Sequence, residues 1–351
     1  MIINTKQLKS ALTRMAGIAS GRTTMPILKH VKLESDGSNL SITASDSDSW
    51  MTEKIECSEI VEPMCLNFKH LESSAGGEQV EIVREGGFAI VKHGLSMMKL
   101  PISTDDFPAL PDAKYKVQGV NVEILADAIQ KVKFAPDAKN ENITRTCIHI
   151  VSKPKELYVE GTNGRCAAAV CEPIIGATFD AVATIDVLTE VASQLTRNGA
   201  EFHLSERTIM IKHDAGLYVC KLLDSNYPYP NTAGFLRAKR QVLGEVALKP
   251  ILDTVEACLA VANGDLSANA QLVFSENGLW LGFTYGSTQI ENTFEGKFSD
   301  FKLGIHCQNF ARCLKAIKEE KSTFSYSDNA IFMESGNLLV CSAKMIAKEK
   351  P

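Results

Sequence analysis

The sequence lacks the features that mark membrane-spanning, secreted and metal-binding chains. Its 351 residues contain no apolar run approaching the ~20 residues that a transmembrane helix needs. Residues 1–6 provide no apolar segment of a secretory signal. The ten cysteines form no Cys-x-x-Cys pair, so no zinc spacing is present. We therefore expect a cytoplasmic protein with reduced thiols, no metal and no membrane partner.

The sequence also lacks the local motifs of common enzyme classes. It has no Gly-x-Ser-x-Gly, no Walker A loop, no Gly-x-Gly-x-x-Gly and no His-Glu-x-x-His. Residues 161–164 come closest to a phosphate-binding loop, and a tight turn is the simpler interpretation. We expect no catalytic residue and no cofactor. An α+β hydrolase with a non-local site stays as an alternative, in which substitution of one Cys or His would abolish turnover.

Positive charge is in slight deficit, because 37 basic residues face 42 acidic ones and the net charge is −5. Most DNA-binding domains are basic, so one simple basic patch is disfavoured. This balance still allows basic residues to be segregated onto one surface. The length favours two or three domains.

What the sequence does contain is a repeat with a period near 120 residues. Gly94, Gly216 and Gly336 each precede a closing strand and lie 122 and 120 residues apart. Each unit opens with a helical pattern and has a second one before its closing strands. The opening helices are predicted at residues 5–18, 122–133 and 248–261, and the second helices at 67–75, 186–197 and 306–320. A hairpin pattern follows each opening helix, at residues 31–43, 148–159 and 272–283, and the closing strands span 80–100, 201–222 and 323–343.

This order predicts an α+β fold of three tandem, structurally similar domains, each with two helices packed on antiparallel sheets. Charged or Pro-rich stretches at residues 112–119 and 236–244 are typical of exposed linkers. The predicted domains are therefore 1–117, 118–242 and 243–351. An unrelated series of helices and hairpins is the simpler alternative, and the shared period argues against it.

Basic residues recur on three of the predicted helices and just beyond them. They could face phosphates, or they could be the solvated faces that amphipathic helices carry anyway. With two arginines near helix ends, the candidate DNA-binding residues are Lys6, Lys9, Arg14, Arg22, Lys131, Lys133, Lys139, Arg197, Arg312 and Lys315.

Five strings, at residues 20–28, 40–46, 106–111, 159–165 and 221–228, are similar in order and spacing to one family. They read Ser-Gly-Arg-Thr-Thr-Met-Pro-Ile-Leu, Leu-Ser-Ile-Thr-Ala-Ser-Asp, Asp-Phe-Pro-Ala-Leu-Pro, Val-Glu-Gly-Thr-Asn-Gly-Arg and Lys-Leu-Leu-Asp-Ser-Asn-Tyr-Pro. Together with the repeat, they make the whole chain resemble the DNA polymerase III beta subunit family, the bacterial sliding clamps.

The resemblance implies a non-catalytic processivity factor of DNA replication. Two three-domain chains would close head to tail into a ring around duplex DNA, without sequence preference. A cleft would bind a short peptide motif of DNA polymerase and clamp-loader subunits. The alternative is a clamp-like protein-interaction scaffold that does not encircle DNA.

The resemblance also assigns roles to residues. Arg22 occupies the position of a DNA-contacting arginine. The peptide-binding positions are Ile148, Thr162, Gly164, Arg165, Cys166, Ala167, Pro228, Thr232, Ala233, Val340, Cys341, Ser342 and Ala343. The dimer interface would join Met97, Met98 and Leu100 to Val261 and Ala262 of a second copy.

The chain departs from the family pattern within the predicted cleft. Arg165-Cys166-Ala167 stands where the family has His-Arg-Leu, which makes the wall smaller and differently charged. Ser342-Ala343-Lys344 replaces a Met-Pro-Met segment near the C-terminus. We therefore expect altered peptide specificity.

Overall fold

A computed structural model describes residues 1–19, 21, 23–111, 115–117, 120–174, 176, 178–265, 267–327 and 329–345. Among these residues the helices are α1 (Thr5–Ala19), α2 (Phe68–Ser74), α3 (Val122–Val132), α4 (Ile185–Leu195), α5 (Thr232–Leu236), α6 (Leu248–Val261) and α7 (Cys307–Ala316). Two 3-10 turns lie at Pro26–Lys29 and Ile143–Thr146.

The strands of the described residues are antiparallel to their partners throughout. In chain order they are β1 (Ile2–Asn4), β2 (His30–Ser35), β3 (Asn39–Ser45), β4 (Ser49–Glu56), β5 (Met64–Asn67), β6 (Gln79–Glu85), β7 (Phe88–His93), β8 (Ser96–Ser103), β9 (Tyr115–Lys116), β10 (Cys147–Lys153), β11 (Glu156–Thr162), β12 (Cys166–Pro173), β13 (Phe179–Thr184), β14 (Glu201–Leu204), β15 (Thr208–His213), β16 (Gly216–Lys221), β17 (Gln241–Ala247), β18 (Asn269–Ser275), β19 (Gly278–Tyr285), β20 (Thr288–Phe294), β21 (Phe301–His306), β22 (Lys321–Ser327), β23 (Ala330–Ser335) and β24 (Leu338–Ala343).

The chain forms two compact units. The first, called unit 1 below, contains Met1–Val117 and Ser193–Leu222, and unit 2 contains Gln118–Ala192 and Leu223–Pro351. Each unit combines helices with antiparallel sheets, so the predicted α+β fold is confirmed. The division into three domains at 117 and 242 stays a prediction.

Unit 1 is built on one sheet in the order β1-β6-β7-β8-β5-β2-β3-β4-β16-β15-β14-β9. Helix α1 packs against β3 and β4, burying Leu8, Leu12 and Met15 at the helical spacing that the sequence shows. Its remaining face, with Lys6 and Lys9, is exposed. The amphipathic pattern therefore fixes which side of α1 meets solvent.

Strands β4 and β16 join two segments of unit 1 that lie far apart in the sequence. Gly216 opposes Glu53 in this pairing and has a φ of +149°. A Cβ at Gly216 would lie 1.9 Å from the carbonyl oxygen of Thr52. Only glycine therefore allows β16 to approach β4 at this point.

Unit 2 contains an eight-stranded sheet, β13-β10-β11-β12-β24-β23-β22-β17, and a four-stranded sheet, β20-β19-β18-β21. Helices α3 and α5 pack on β11 and β12, while α7 packs on β12, β21 and β24. The register places Cys166 opposite Ser342. This pairing brings the turn before β12 beside the end of β24.

Two boundary predictions need correction. The helix predicted at 306–320 ends at Ala316, because Ile317 is extended, with φ −89° and ψ 125°, and buries its side chain. The predicted linker at 236–244 is not an open linker, because from Gln241 onward it forms edge strand β17 beside β22. Its charged composition suits an edge strand equally well. In the first predicted linker, Tyr115–Lys116 forms β9, while 112–114 and 118–119 lie outside the described residues.

None of the helices in the described ranges is long and apolar enough to span a membrane.

Candidate functional site

A cleft of about 340 Å³ opens in unit 2, where the turn between β11 and β12 meets α5 and the end of β24. Its lining combines basic, amide, hydroxyl and apolar side chains. The lining residues are Arg145, Thr162, Gly164, Arg165, Cys166, Ala167, Pro230, Asn231, Thr232, Phe235, Asn329, Cys341 and Ala343.

The turn between β11 and β12 is held by its own side chains. Asn163 Oδ1 accepts hydrogen bonds from the backbone N–H groups of Arg165 and Cys166, both at 2.9 Å. The Thr162 hydroxyl donates to the Cys166 carbonyl at 2.8 Å, and Gly164 adopts a φ of +84°. The turn therefore presents Arg165 from a fixed backbone, in agreement with the tight turn predicted for residues 161–164.

Arg145 reaches the cleft from the 3-10 turn Ile143–Thr146. Asn142 caps this turn by accepting a hydrogen bond from the Thr144 N–H at 3.1 Å. The guanidinium packs over Gly164, where a Cβ would lie 2.9 Å from Cζ of Arg145. Gly164 therefore leaves the space that this arginine occupies.

The cleft has an apolar side that belongs to the core of unit 2. Ala167 and Cys341 are members of a buried cluster with Phe332. The Phe235 ring lies 5.6 Å from the ring of Phe332 and keeps 36% of its surface exposed. Burial raises the pKa of the Cys341 thiol to about 12, so this side is uncharged at neutral pH.

The structure brings together eight of the thirteen predicted peptide-binding residues, namely Thr162, Gly164, Arg165, Cys166, Ala167, Thr232, Cys341 and Ala343. Ile148, Val340 and Ser342 are instead fully buried. Ala233 packs on the core cluster, and Pro228 is exposed outside the lining.

The sequence prediction missed Arg145, Pro230, Asn231, Phe235 and Asn329. Arg145 and Asn329 lie outside every string that carried the resemblance. A signal for the others was present, because Asn231 follows Pro230 and caps the short helix α5 by accepting from the Gly234 N–H at 3.0 Å.

Some of the candidate DNA-binding residues bind partners inside the protein, and others are accessible to solvent. In unit 1, Arg14 and Arg197 both bind Glu53, whose side chain is fully buried. Arg14 Nη2 donates to Glu53 Oε2 at 2.7 Å, Arg197 Nη2 donates to the same oxygen at 3.1 Å, and Arg197 Nη1 contacts His213 Nε2 at 3.1 Å. These two guanidiniums are committed to an internal network.

Three candidates in unit 2 are also engaged locally. Lys131 donates to Asn337 at 3.0 Å and pairs with Asp127 at 2.8 Å. Arg312 donates to the Phe134 and Pro136 carbonyls, and Lys315 pairs with Glu256 at 2.7 Å.

Other candidates remain accessible. Lys6, Lys9 and Lys139 are exposed and Lys133 is half-buried. These four have no carboxylate partner in the part of the chain that the structure describes. Arg22 lies outside the described residues.

The predicted dimer residues differ in exposure. Met97 and Met98 keep 69% and 40% of their surface exposed. Leu100 and Ala262 are buried, and Val261 is half-buried. Among the five predicted dimer residues, only the two methionines therefore offer a substantial apolar surface.

No cluster of three or more His, Cys, Asp or Glu side chains suited to a metal ion occurs within the described ranges.

Comparisons with known proteins agree with this architecture. A family model described as DNA polymerase III beta subunit, N-terminal domain, matches residues 1–111. Beta sliding clamps of Chlamydia muridarum and Bacillus subtilis are 23% and 25% identical over 238 and 230 residues. The first alignment covers 65% of this chain and 65% of the relative, and the second covers 60% and 61%.

Solved structures show the same fold over nearly the whole chain. The DNA polymerase III subunit beta of Pseudomonas aeruginosa superposes with a TM-score of 0.88, covering 98% of this chain and 99% of that one at 17% identity. The beta subunit of Streptococcus pyogenes DNA polymerase gives the same TM-score, coverages and identity. With the matching N-terminal family model, these likenesses make the chain similar to DNA polymerase III beta subunits, and the solved structures show that it has their fold.

Proposed function

We propose that this protein is a non-catalytic processivity factor: a homodimeric ring that encircles duplex DNA and tethers a replicative polymerase through the cleft of unit 2. The cleft carries the proposal, because eight residues chosen by resemblance line one opening with an apolar side and a polar rim. Such an opening suits a short peptide whose apolar side chains are buried there. Clamp-loader subunits would use the same site, and each chain would have domains 1–117, 118–242 and 243–351.

The charge distribution suits a topological hold on DNA. A closed ring cannot leave a duplex sideways, so its phosphate contacts can be weak enough to slide. Against a net charge of −5, the exposed Lys6 and Lys9 on α1 would provide only weak, sequence-independent attraction. Strong or base-specific contacts would oppose movement.

A second candidate is a clamp-like scaffold that does not encircle DNA. It is favoured by the ion pairs of Arg14 and Arg197 with Glu53, which remove two of the candidate phosphate contacts. This scaffold would retain the peptide cleft and need no ring.

Size-exclusion chromatography with in-line X-ray scattering separates the two candidates. The ring predicts twice the chain mass of 38.3 kDa and a pair-distance profile depleted at short distances. A compact monomer would overturn the closed ring and leave the scaffold.

The dimer surface is tested by Met97→Asp, because a charge on an exposed apolar interface residue opposes its burial. We expect the variant to be a folded monomer by the same measurement. Ile60→Asp is the matched control, since Ile60 is also exposed, at 74%, and lies outside the proposed interface. A Met97→Asp dimer, or dissociation in both variants, would contradict the assignment of this surface.

A further inference from the structure

We propose that Cys166 and Cys313 of unit 2 form a redox pair, in which a hydroperoxide oxidises Cys166 and Cys313 then closes a disulfide with it. The two thiols meet where the start of strand β12 packs on helix α7. The inference concerns the chemistry of these two sulfur atoms. It depends neither on the proposed ring nor on what the cleft binds.

Several contacts make the two sulfur atoms neighbours. Cys166 Sγ lies 3.8 Å from Asn309 Oδ1, and Asn309 precedes Cys313 by one turn on the same face of α7. Cys313 Sγ lies 3.4 Å from the carbonyl oxygen of Cys341. The next residue of β24, Ser342, is the strand partner of Cys166. The two thiols also hydrogen-bond to each other, so they meet the first requirement for a disulfide, which is proximity.

The third thiol of this region, Cys341, lies on the other face of the sheet. Strand partners share a face, so Cys166 lies on the face of Ser342. Cys341 and its partner Ala167 lie on the opposite face, because successive side chains of a strand alternate. Cys341 accordingly packs in the apolar core cluster described above. The partner of Cys166 is therefore Cys313.

The surroundings favour a thiolate at Cys166. The hydrogen bond from Cys313 lowers the pKa of the Cys166 thiol against the effect of burial, and the charge of Arg312 adds to this lowering. Arg312 is fixed close by, because it donates to the carbonyls on both sides of Ala135, whose own carbonyl lies 3.6 Å from Cys166 Sγ. The same thiol–thiol hydrogen bond, with burial, raises the pKa of Cys313. Cys166 is therefore the nucleophile, and Cys313 is the thiol that resolves the oxidised intermediate.

Cys166 is also the member of the pair that a small solute can reach. It belongs to the lining of the cleft, although only 2% of its surface is exposed. Cys313 is fully buried. The oxidant is therefore small, of the size of hydrogen peroxide, and a bulky reagent such as glutathione disulfide is excluded.

The reaction balances with one hydroperoxide. The Cys166 thiolate attacks an oxygen atom of hydrogen peroxide, so that an S–O bond forms, the O–O bond breaks and the leaving hydroxide takes up a proton. The Cys313 sulfur then attacks the sulfenic acid on Cys166. The S–S bond forms, the S–O bond breaks, and the oxygen leaves as water with the proton of Cys313. The two thiols lose two electrons to the peroxide, and a small dithiol reverses the oxidation by exchange.

The disulfide would act on the turn between β11 and β12. Asn309 Oδ1 accepts from Asn163 Nδ2 at 3.0 Å and is also the oxygen beside Cys166 Sγ. Asn163 in turn holds the backbone N–H groups of Arg165 and Cys166. A covalent link from β12 to α7 therefore reaches the side chains that fix this turn, and it connects the redox state of the surroundings to one border of the cleft.

The test is peptide mapping of the reduced, full-length protein after brief exposure to hydrogen peroxide, with the remaining thiols alkylated in denaturant. Trypsin cleaves after Arg165 and Arg312, so each sulfur begins its own peptide. We expect a disulfide that joins these two peptides and that dithiothreitol reverses. Fragmentation of the first peptide should assign the bond to Cys166 and not to Cys171.

Cys313→Ala removes the resolving thiol and should leave a sulfenic acid on Cys166. Labelling of Cys166 by dimedone, which traps sulfenic acids, should then rise at least about tenfold over the wild type. Cys341→Ala is the matched control, because Cys341 is an equally buried thiol on the opposite face of the sheet. It should form the disulfide as the wild type does, with Cys166 unlabelled. The map of the wild type carries the result even where a variant fails to fold.

Three outcomes would overturn the proposal. Alkylation of both Cys166 and Cys313 after peroxide treatment would mean that the pair does not react. A disulfide from Cys166 to Cys341 or to Cys171 would mean that Cys313 is not its partner. Dimedone labelling confined to the exposed Cys171 would mean that Cys166 is not the reacting thiol.

Discussion

Two pairs of arginines in this molecule have opposite surroundings. In unit 1, Arg14 and Arg197 converge on one fully buried carboxylate, Glu53. In unit 2, Arg145 and Arg165 border a cleft whose described lining holds no carboxylate. The first pair belongs to the structure of its unit, and the second is exposed to solvent. The difference shows that basic residues counted along a sequence predict binding only after their internal partners are known.

Two histidines, one in each unit, also have opposite surroundings, and their pKa values shift in opposite directions. Burial, together with the neighbouring Arg197 charge, lowers the pKa of His213 in unit 1 to about 4. Burial also lowers the pKa of His149 in unit 2, but its bonds to Glu160 and Asp180 outweigh this and raise the pKa above its ordinary value. The protonation of each histidine is therefore linked to the stability of the folded chain with the opposite sign.

The largest effect is expected from Glu53→Gln. Burial opposes the charge on Glu53, yet hydrogen bonds from Arg197 and Arg14 keep its pKa below the ordinary value. Removing this charge leaves two guanidiniums facing each other, so the free energy of unfolding should fall by about 3–5 kcal/mol in urea denaturation. Glu56→Gln, at an exposed position of the same strand, should change it by less than about 0.5 kcal/mol. Equal effects would mean that the arginines of unit 1 are not held by Glu53.

A smaller change in the free energy of unfolding is expected from the titration of His213. The pKa of His213 is about 4 when folded and 6.5 ordinarily, so the unfolded chain binds the proton more tightly. Its contribution to stability is complete above about pH 6.5 and should shrink by about 2 kcal/mol between pH 7 and pH 5. Denaturation of His213→Gln across this range should show a flatter profile.

His149→Gln provides the opposite case. The pKa of His149 is raised on folding, so this residue stabilises the chain below about pH 6.5, and the stabilisation is lost as the pH rises through the folded value. Its replacement should therefore steepen the loss of stability on acidification. Profiles that change in the same direction for both variants would contradict the contrast between the two units.

The smallest effect is expected at exposed lysines. Lys6→Gln/Lys9→Gln should leave the unfolding free energy unchanged. It should make the slope of log affinity for DNA against log salt concentration shallower by about one for each phosphate that is no longer neutralised. Arg14→Gln should instead lower stability. Lys153→Gln/Lys155→Gln is the control at exposed positions of unit 2. An unaltered slope in the Lys6/Lys9 variant would remove α1 from the DNA-binding surface.

Much of the fold follows from local pattern. The predicted helix at 248–261 has the bounds of α6, and the one at 5–18 differs from α1 by a single residue, because apolar spacing and packing agree there. Strand β17 was missed, because a charged edge strand and a linker have similar compositions. Pairings such as β4 with β16 join distant segments, and no local signal specifies them.

The residues that line the candidate cleft could be predicted where the resemblance assigned them. They could not be predicted where close packing alone places them there. The turn that carries Thr162 and Arg165 was identified, whereas Arg145 enters the cleft because Gly164 leaves room for its side chain. The partner of Arg14 and Arg197 could not be predicted either, since Glu53 lies 39 and 144 residues away from them in the chain. Charge neutralisation over such separations depends on the folded sheet.

The pairing of β4 with β16 limits how the gene can be divided. Residues 193–222 leave their sequence neighbours to complete the sheet of unit 1. A fragment ending at residue 117 would expose the backbone N–H and C=O groups along β4 and uncover Trp50, which packs with Val219, and such an open edge promotes aggregation. Recombination with a related gene therefore has to exchange two separated coding segments together, because either one alone places a foreign strand against the native edge.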